Sequence, residues 1–249
     1  MTADTGFNMR NGAKLLTAFM SLALILAAGP AQASGQEKHG MANAAYMEML
    51  HLHSLMDHGL EMVAEGSNIV MFSEQDIAPS LDEMTMEHGR KMILEGKAVI
   101  EKTLKMAAAQ KKVYRNRLFI RYIGDLGNAE IAFANMSVKL GKIGMAGPAD
   151  TKARHIRVMI DHTLVMAAQG ADLVITGHMG MPTEDAYSVE HGKMMLFDSR
   201  TMLSMVKGKE AVDLRDKSSA MEQTLAACNA ARRIIDLLGM MPGNEAAVR

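Results

Sequence analysis

Four short segments of this chain carry an acid, then a histidine, then a methionine four residues beyond the histidine. They are Asp57-His58 with Met62, Glu87-His88 with Met92, Asp161-His162 with Met166, and Glu190-His191 with Met195. On a helix, residues four apart share a face, so each segment offers an imidazole beside a thioether. That donor pair suits soft or borderline cations, Cu(I) and Ag(I) above all, which accept such ligands in low coordination numbers. Neither donor needs to lose a proton near neutral pH. The preceding acids lie about 100° round the helix from their histidines. From there they either orient a histidine of a neighbouring helix or meet solvent.

The segments recur in order, which points to the elements that must hold them. Asp57 to Gly66 resembles Asp161 to Gly170, and His51 matches His155 at the same offset. Ala132, Asn135 and Gly144-Met145 match Ala226, Asn229 and Gly239-Met240 more weakly. Proline is scarce and period-two runs are few, so the chain reads as all-α. The first expected helix covers 42–72. The second opens at the capping box Ser80 to Glu83 and reaches 111. A third is broken near Gly124 and best defined over 128–143. Counterparts are expected over 150–175, 183–206 and 219–238. The expected fold is an internally duplicated three-helix unit, with repeats at about 42–146 and 150–243. Two antiparallel hairpins would form a four-helix bundle flanked by the two remaining helices.

Turns centred near 77 and 180 pair Met62 with Met92 and Met166 with Met195. The expected centre is then a methionine layer between two histidine layers, His88 with His191 and His58 with His162. His51 and His155 fall two turns further along. Glycines follow three of the histidines (Gly59, Gly89, Gly192), and Gly66 and Gly170 recur. Each costs about 1 kcal/mol in a helix interior. Close helix contact accounts for them more simply than space for a ligand.

Composition narrows the class. Arg10 and Lys14 precede the apolar run Leu15 to Ala28, and Ala31-Gln32-Ala33 supplies a small-x-small cleavage site. Residues 1–33 are expected to be a signal peptide cut after Ala33, with Met9 an alternative start to Met1. Residues 34–249 would be one exported helical domain, periplasmic or secreted. No later stretch reads as a membrane span. A net charge of −1 gives no footprint for nucleic acid. The single cysteine, Cys228, excludes internal disulfides, thiolate clusters and c-type haem. Methionine is the anomaly, with 26 in 249 residues. It either fills helical cores or supplies sulfur ligands where free thiols would not last.

In its chemistry the chain resembles the His/Met-rich proteins that bind silver and copper in bacterial periplasms, and the four His-x-x-x-Met pairs carry that resemblance. The expected function is storage, buffering or resistance for Cu(I) or Ag(I), without enzymatic activity. The signatures G-x-S-x-G, the phosphate loop and H-E-x-x-H are missing from the sequence. A b-type haem bundle with His/His or His/Met ligation is the alternative cofactor reading. A partner-binding helical domain with a methionine-rich core is the third. A homo-oligomer or a metal-donor partner protein is compatible with the first. His178, Met179 and Met181 between two helices, and His39 with Met41, are candidate capture points. The basic run Lys111 to Arg117 reads as a surface segment.

Overall fold

Close approach of two helices requires small residues at the crossing, and the glycines noted above fall where helices meet. The computed structural model describes residues 37–73, 79–110, 117–140, 148–178, 185–213 and 219–240, and among these it contains six helices and no strand. The helices are α1 (Glu37–Ser73), α2 (Pro79–Gln110), α3 (Arg117–Leu140), α4 (Pro148–His178), α5 (Asp185–Asp213) and α6 (Ser219–Gly239). The chain divides into two units, Met1–Ala42 and Asn43–Arg249. Every side chain discussed below belongs to the second. The expected leader, the side chains of His39, Met41 and His178, and Met179 and Met181 lie outside the described residues.

Two boundaries differ from expectation. α3 runs unbroken through Gly124 and Gly127. Gly127 is pressed against the side chains of Met56 and Leu104, and α3 buries Ile123, Leu126 and Phe133 completely. That packing outweighs about 1 kcal/mol of helix propensity lost per glycine. α5 continues to Asp213, beyond the end expected at 206.

In the α1/α2 hairpin, Gly59 faces Gly96 and Gly66 faces Gly89. A methyl carbon on Gly66 would lie 2.6 Å from the Gly89 carbonyl oxygen; one on Gly96 would lie 2.6 Å from that of Gly59. The two contacts are seven residues apart on both helices, so the antiparallel axes stay aligned, at constant distance, over two turns. In the α4/α5 hairpin Gly170 faces Gly192, with the Gly192 carbonyl oxygen 2.9 Å from the Gly170 methyl position. Seven residues away stand Thr163 and Ser199, both fully buried. Their hydroxyls donate to the carbonyls of Met159 and Met195 one turn back in their own helices, at 2.7 Å each. Small self-satisfied hydroxyls thus take the place of the second glycine contact.

The hairpins lie edge to edge. Ser54 donates to Asp172 (2.6 Å), Gln169 to Glu61 (2.7 Å) and Arg157 to Ser67 (3.2 Å), so α1 and α4 run antiparallel and adjacent. α3 covers one side of α1 through Tyr122 on His53. It reaches α4, where the Arg157 guanidinium sits 4.4 Å from the Phe133 ring centre. α6 covers the same side of α4, with Thr224 bonding to the Ala153 carbonyl at 3.4 Å, and packs against α3 and α5. The order α2–α1–α4–α5 therefore makes one layer, and α3 with α6 makes a second. The sequence reading put α3 and α6 at the flanks of a four-helix bundle. Their buried stripes, including Phe133, Ile234 and Leu238, instead take the side on which the hairpins would have met face to face.

Contrary to the expectation from sequence, the stretch Thr151–Gly177 of α4 is long and apolar enough to cross a membrane by length and composition. It is a central helix of the four-helix layer, and 56% of its most apolar window is buried inside the protein.

Candidate functional site

With α3 and α6 on one side, no described helix covers the other side of the layer. On α1 the half-buried or exposed stripe on that side reads His51, Leu55, His58, Met62, Glu65, Ile69; on α4 it reads His155, Met159, His162, Met166, Gln169, Leu173. At 100° per residue each series forms one strip along its helix. On the outer helices, His88 and Met92, and His191 and Met195, stand at the same angle to the glycine contacts as His58 and Met62 do. All ten nominated residues share this uncovered face.

That placement corrects the expected core of methionine between histidine layers. His88, His155, His162 and His191 are exposed, His51 and His58 are half-buried, and the four methionines are half-buried. Within the first hairpin the methionines do share a level. The Cβ of Met62 lies 2.9 Å from the methyl position of Gly96, and that of Met92 lies 2.9 Å from the methyl position of Gly66. In the second hairpin the Met195 Cβ lies 2.9 Å from the methyl position of Gly170. Among the described residues, no three His, Cys, Asp or Glu side chains gather as a metal cage.

What turns inward is the acid before the histidine. Asp57 and Asp161 are buried, each joined to a residue one turn earlier in its helix. His53 Nδ1 lies 2.8 Å from Asp57 Oδ2, and Nε2 lies 2.6 Å from the Tyr122 hydroxyl. A carboxylate only accepts, so Nδ1 carries a proton toward Asp57, and Nε2 shares the second hydrogen bond with the Tyr122 hydroxyl. Arg157 Nε donates to Asp161 at 2.9 Å, and Nη2 donates to Ser67 and Ser137. Burial pushes both aspartates up to about 6, against the lowering pull of His53 on Asp57 and of Arg157 on Asp161. Burial likewise lowers Arg157.

Glu130 of α3 is fully buried, and neither carboxyl oxygen has a hydrogen-bond partner. Burial, with Asp57 adding repulsion, holds it well above the usual carboxylate range. Tyr122 is raised well above its ordinary value by burial, then by Asp57 and Glu130. Sequence reasoning missed His53, Tyr122, Glu130 and Arg157. The available signal was an ionisable residue four before each buried aspartate, at the offset that also aligns His51 with His155.

These shifts fix the sign of a pH effect. A carboxyl raised in the folded state contributes its full stability below the unfolded value, 4.5 for Glu130. That contribution drains as pH rises through the folded value. Asp57 acts in the same direction and loses its share between its unfolded value of 3.8 and about 6. Glu130→Gln keeps the shape and removes the ionisation. Urea midpoints for the native chain should fall from about pH 5 to pH 8, and those of the variant should fall less. Equal falls in the two proteins would show that Glu130 is not held neutral by burial.

A separate cleft of about 300 Å³ lies between α5 and α6, lined by Arg200, Ser204, Cys228, Asn229, Arg232 and Asp236. Arg200 already spends its charge on Asp236, at 2.6 and 3.2 Å. No protein-family model, curated protein or solved structure matches this chain.

Proposed function

We propose that this protein binds Cu(I) or Ag(I) on the uncovered face of its four-helix layer, and stores, buffers or detoxifies the ion in an exported compartment. One observation carries the reading: the His-x-x-x-Met pairs of four different helices all lie on the same open face. Methionine used as core filler accounts for Met56, Met71 and Met221, which are buried. It does not account for Met62, Met92, Met166 and Met195, which keep partial access to solvent. Thioether and imidazole are the soft donors such ions select, and the face supplies both without thiols that an oxidising compartment would consume.

Duplication of a three-helix unit within a single helical domain explains the layout. Gly66 facing Gly89 and Gly170 facing Gly192 occupy corresponding places in the two repeats. So do the buried pairs His53–Asp57 and Arg157–Asp161. A haem would need axial ligands on opposite walls of a slot, whereas these histidines share one face, so the tetrapyrrole reading gains no support.

The test is retention of Cu(I) by the purified protein, under anaerobic reducing conditions, against a chromophoric Cu(I) chelator of moderate affinity. The protein should hold Cu(I), release it to added Ag(I), and leave Mg(II) and Ca(II) unbound. Complete transfer of Cu(I) to the chelator would overturn the proposal.

A further inference from the structure

We propose that each hairpin holds its own ion between a facing pair of thioethers and the two histidines that flank it. The first set is Met62 and Met92 with His58 and His88; the second is Met166 and Met195 with His162 and His191. The inference rests on the soft-metal reading above and adds to it the number of sites and the donors of each.

The glycine contacts define the geometry. Gly59/Gly96 and Gly66/Gly89 clamp α1 to α2 at two points seven residues apart. Met62 and Met92 fall between those points, each with its Cβ against the glycine opposite. At 100° per residue, each stands about 50° round its helix from the line through the two glycines. Because the helices run in opposite directions, equal rotations bring both side chains to the same side of the seam. They therefore lean toward each other over a gap that two glycine contacts keep narrow. His58 and His88 stand about 40° further out and four residues, about 6 Å, to either side along the seam. Methionine has three flexible torsions, which lets two sulfurs close on an ion that an imidazole caps. The second hairpin places its donors likewise, held by the Gly170/Gly192 contact with Thr163 and Ser199 in place of the second glycine pair: Met166 is four residues before Gly170 as Met62 is four before Gly66, and the Met195 Cβ lies against Gly170.

The two seams cannot share one ion. α1 and α4 both lie between them, so they are separated by two helix spacings, roughly 16–20 Å. A single central cluster of four methionines would need the hairpins face to face, and the contacts of α1 with α4 put them edge to edge. Thioether sulfur and imidazole nitrogen bring no negative charge to the ion, so the bound ion keeps its +1 charge.

Anaerobic titration of the full chain with Cu(I), read by chelator competition, tests the count. The native protein should take up two ions, and Met62→Leu/Met92→Leu and Met166→Leu/Met195→Leu should each take up one. Leucine preserves volume at half-buried sites, and thermal midpoints check that the variants fold. Should a leucine pair fail to fold, His58→Gln/His88→Gln at accessible positions should weaken one of the two sites at least tenfold and leave the other unchanged. Copper-edge absorption of the loaded protein should show sulfur and nitrogen neighbours together. One ion per chain lost in either double variant would mean a shared site, and two ions indifferent to all these substitutions would mean binding elsewhere. Either result overturns this inference and leaves the soft-metal function standing. Failure to retain any Cu(I) overturns both.

Discussion

Arg157→Met should destabilise the protein by about 3–5 kcal/mol, the cost of leaving a buried charge without its partner. Arg157 and Asp161 are both fully buried and 2.9 Å apart. The guanidinium also bonds to Ser67 and Ser137 and lies over Phe133. Methionine would restore much of the apolar packing, but Asp161 would lose its ion pair and Ser67 and Ser137 a shared donor. Adding Asp161→Asn to the variant should recover most of the loss, because a neutral pair of similar volume carries no stranded charge. The single variant should also be less impaired near pH 5 than near pH 8. Burial already raises Asp161 to about 6, removal of the cation raises it further, and a raised carboxyl contributes its stability on the acid side. Urea denaturation of the two variants at both pH values measures this. A single-variant loss below about 1 kcal/mol would mean that water reaches the pair and that the core is looser than its burial implies.

The pair also shows where sequence reasoning stops. The period and the caps locate six helices, because the apolar positions of α1 and α4 recur every three or four residues and the capping box Ser80 to Glu83 marks the opening of α2. The antiparallel level of Met62 and Met92 follows from the turn between them. Which side of α1 turns inward does not. Histidine and aspartate adjacent in sequence stand 100° apart on a helix, and local pattern ranks neither as the buried one. Asp57 lies inside beside His53, which bonds one of its oxygens, and His53 is held in turn by Tyr122 of α3, 65 residues beyond Asp57. Asp161 lies inside because Arg157 precedes it by one turn. Once both acids face α3, rotation alone carries His58 and His162 toward the open side. The expected bundle centre fails for the same reason. The sequence shows two hairpins and two further helices, but whether those helices flank a bundle or cover one side of a layer depends on packing between distant segments.

The placement links stability to the proposed function. A buried ion pair contributes little net stability compared with an apolar replacement. Here its consequence is directional: seating the acids in the core beside His53 and Arg157 fixes the roll of α1 and α4, and that roll decides which side chains face the open side.

Alanine at Gly192 and alanine at Gly124 should shift stability in opposite directions. Both glycines lie inside helices, so both substitutions gain up to about 1 kcal/mol of helix propensity. At Gly124 nothing lies within 4 Å of the added methyl group, and the gain should appear nearly in full. At Gly192 the methyl group would run into the Gly170 carbonyl oxygen, with Val174 Cγ2 at 2.8 Å and Val174 N at 2.9 Å. Backbone atoms cannot rotate away, so α5 must move off α4, and overpacking of this kind costs about 1–3 kcal/mol. Gly66 meets a comparable wall of backbone, the Gly89 oxygen at 2.6 Å and Ile93 N at 2.9 Å. Gly59 meets the buried Ile100 side chain at Cγ1, 2.6 Å away, and only one backbone atom, the Gly96 oxygen, at 3.0 Å, so its wall is the softer one. The expected order of stability is therefore Gly124→Ala above the native chain, then Gly59→Ala, with Gly66→Ala and Gly192→Ala lowest. Denaturant midpoints at constant slope resolve these differences. A Gly192→Ala protein as stable as Gly124→Ala would mean that α4 and α5 are free to part, and that the glycine seams do not hold the hairpins in register.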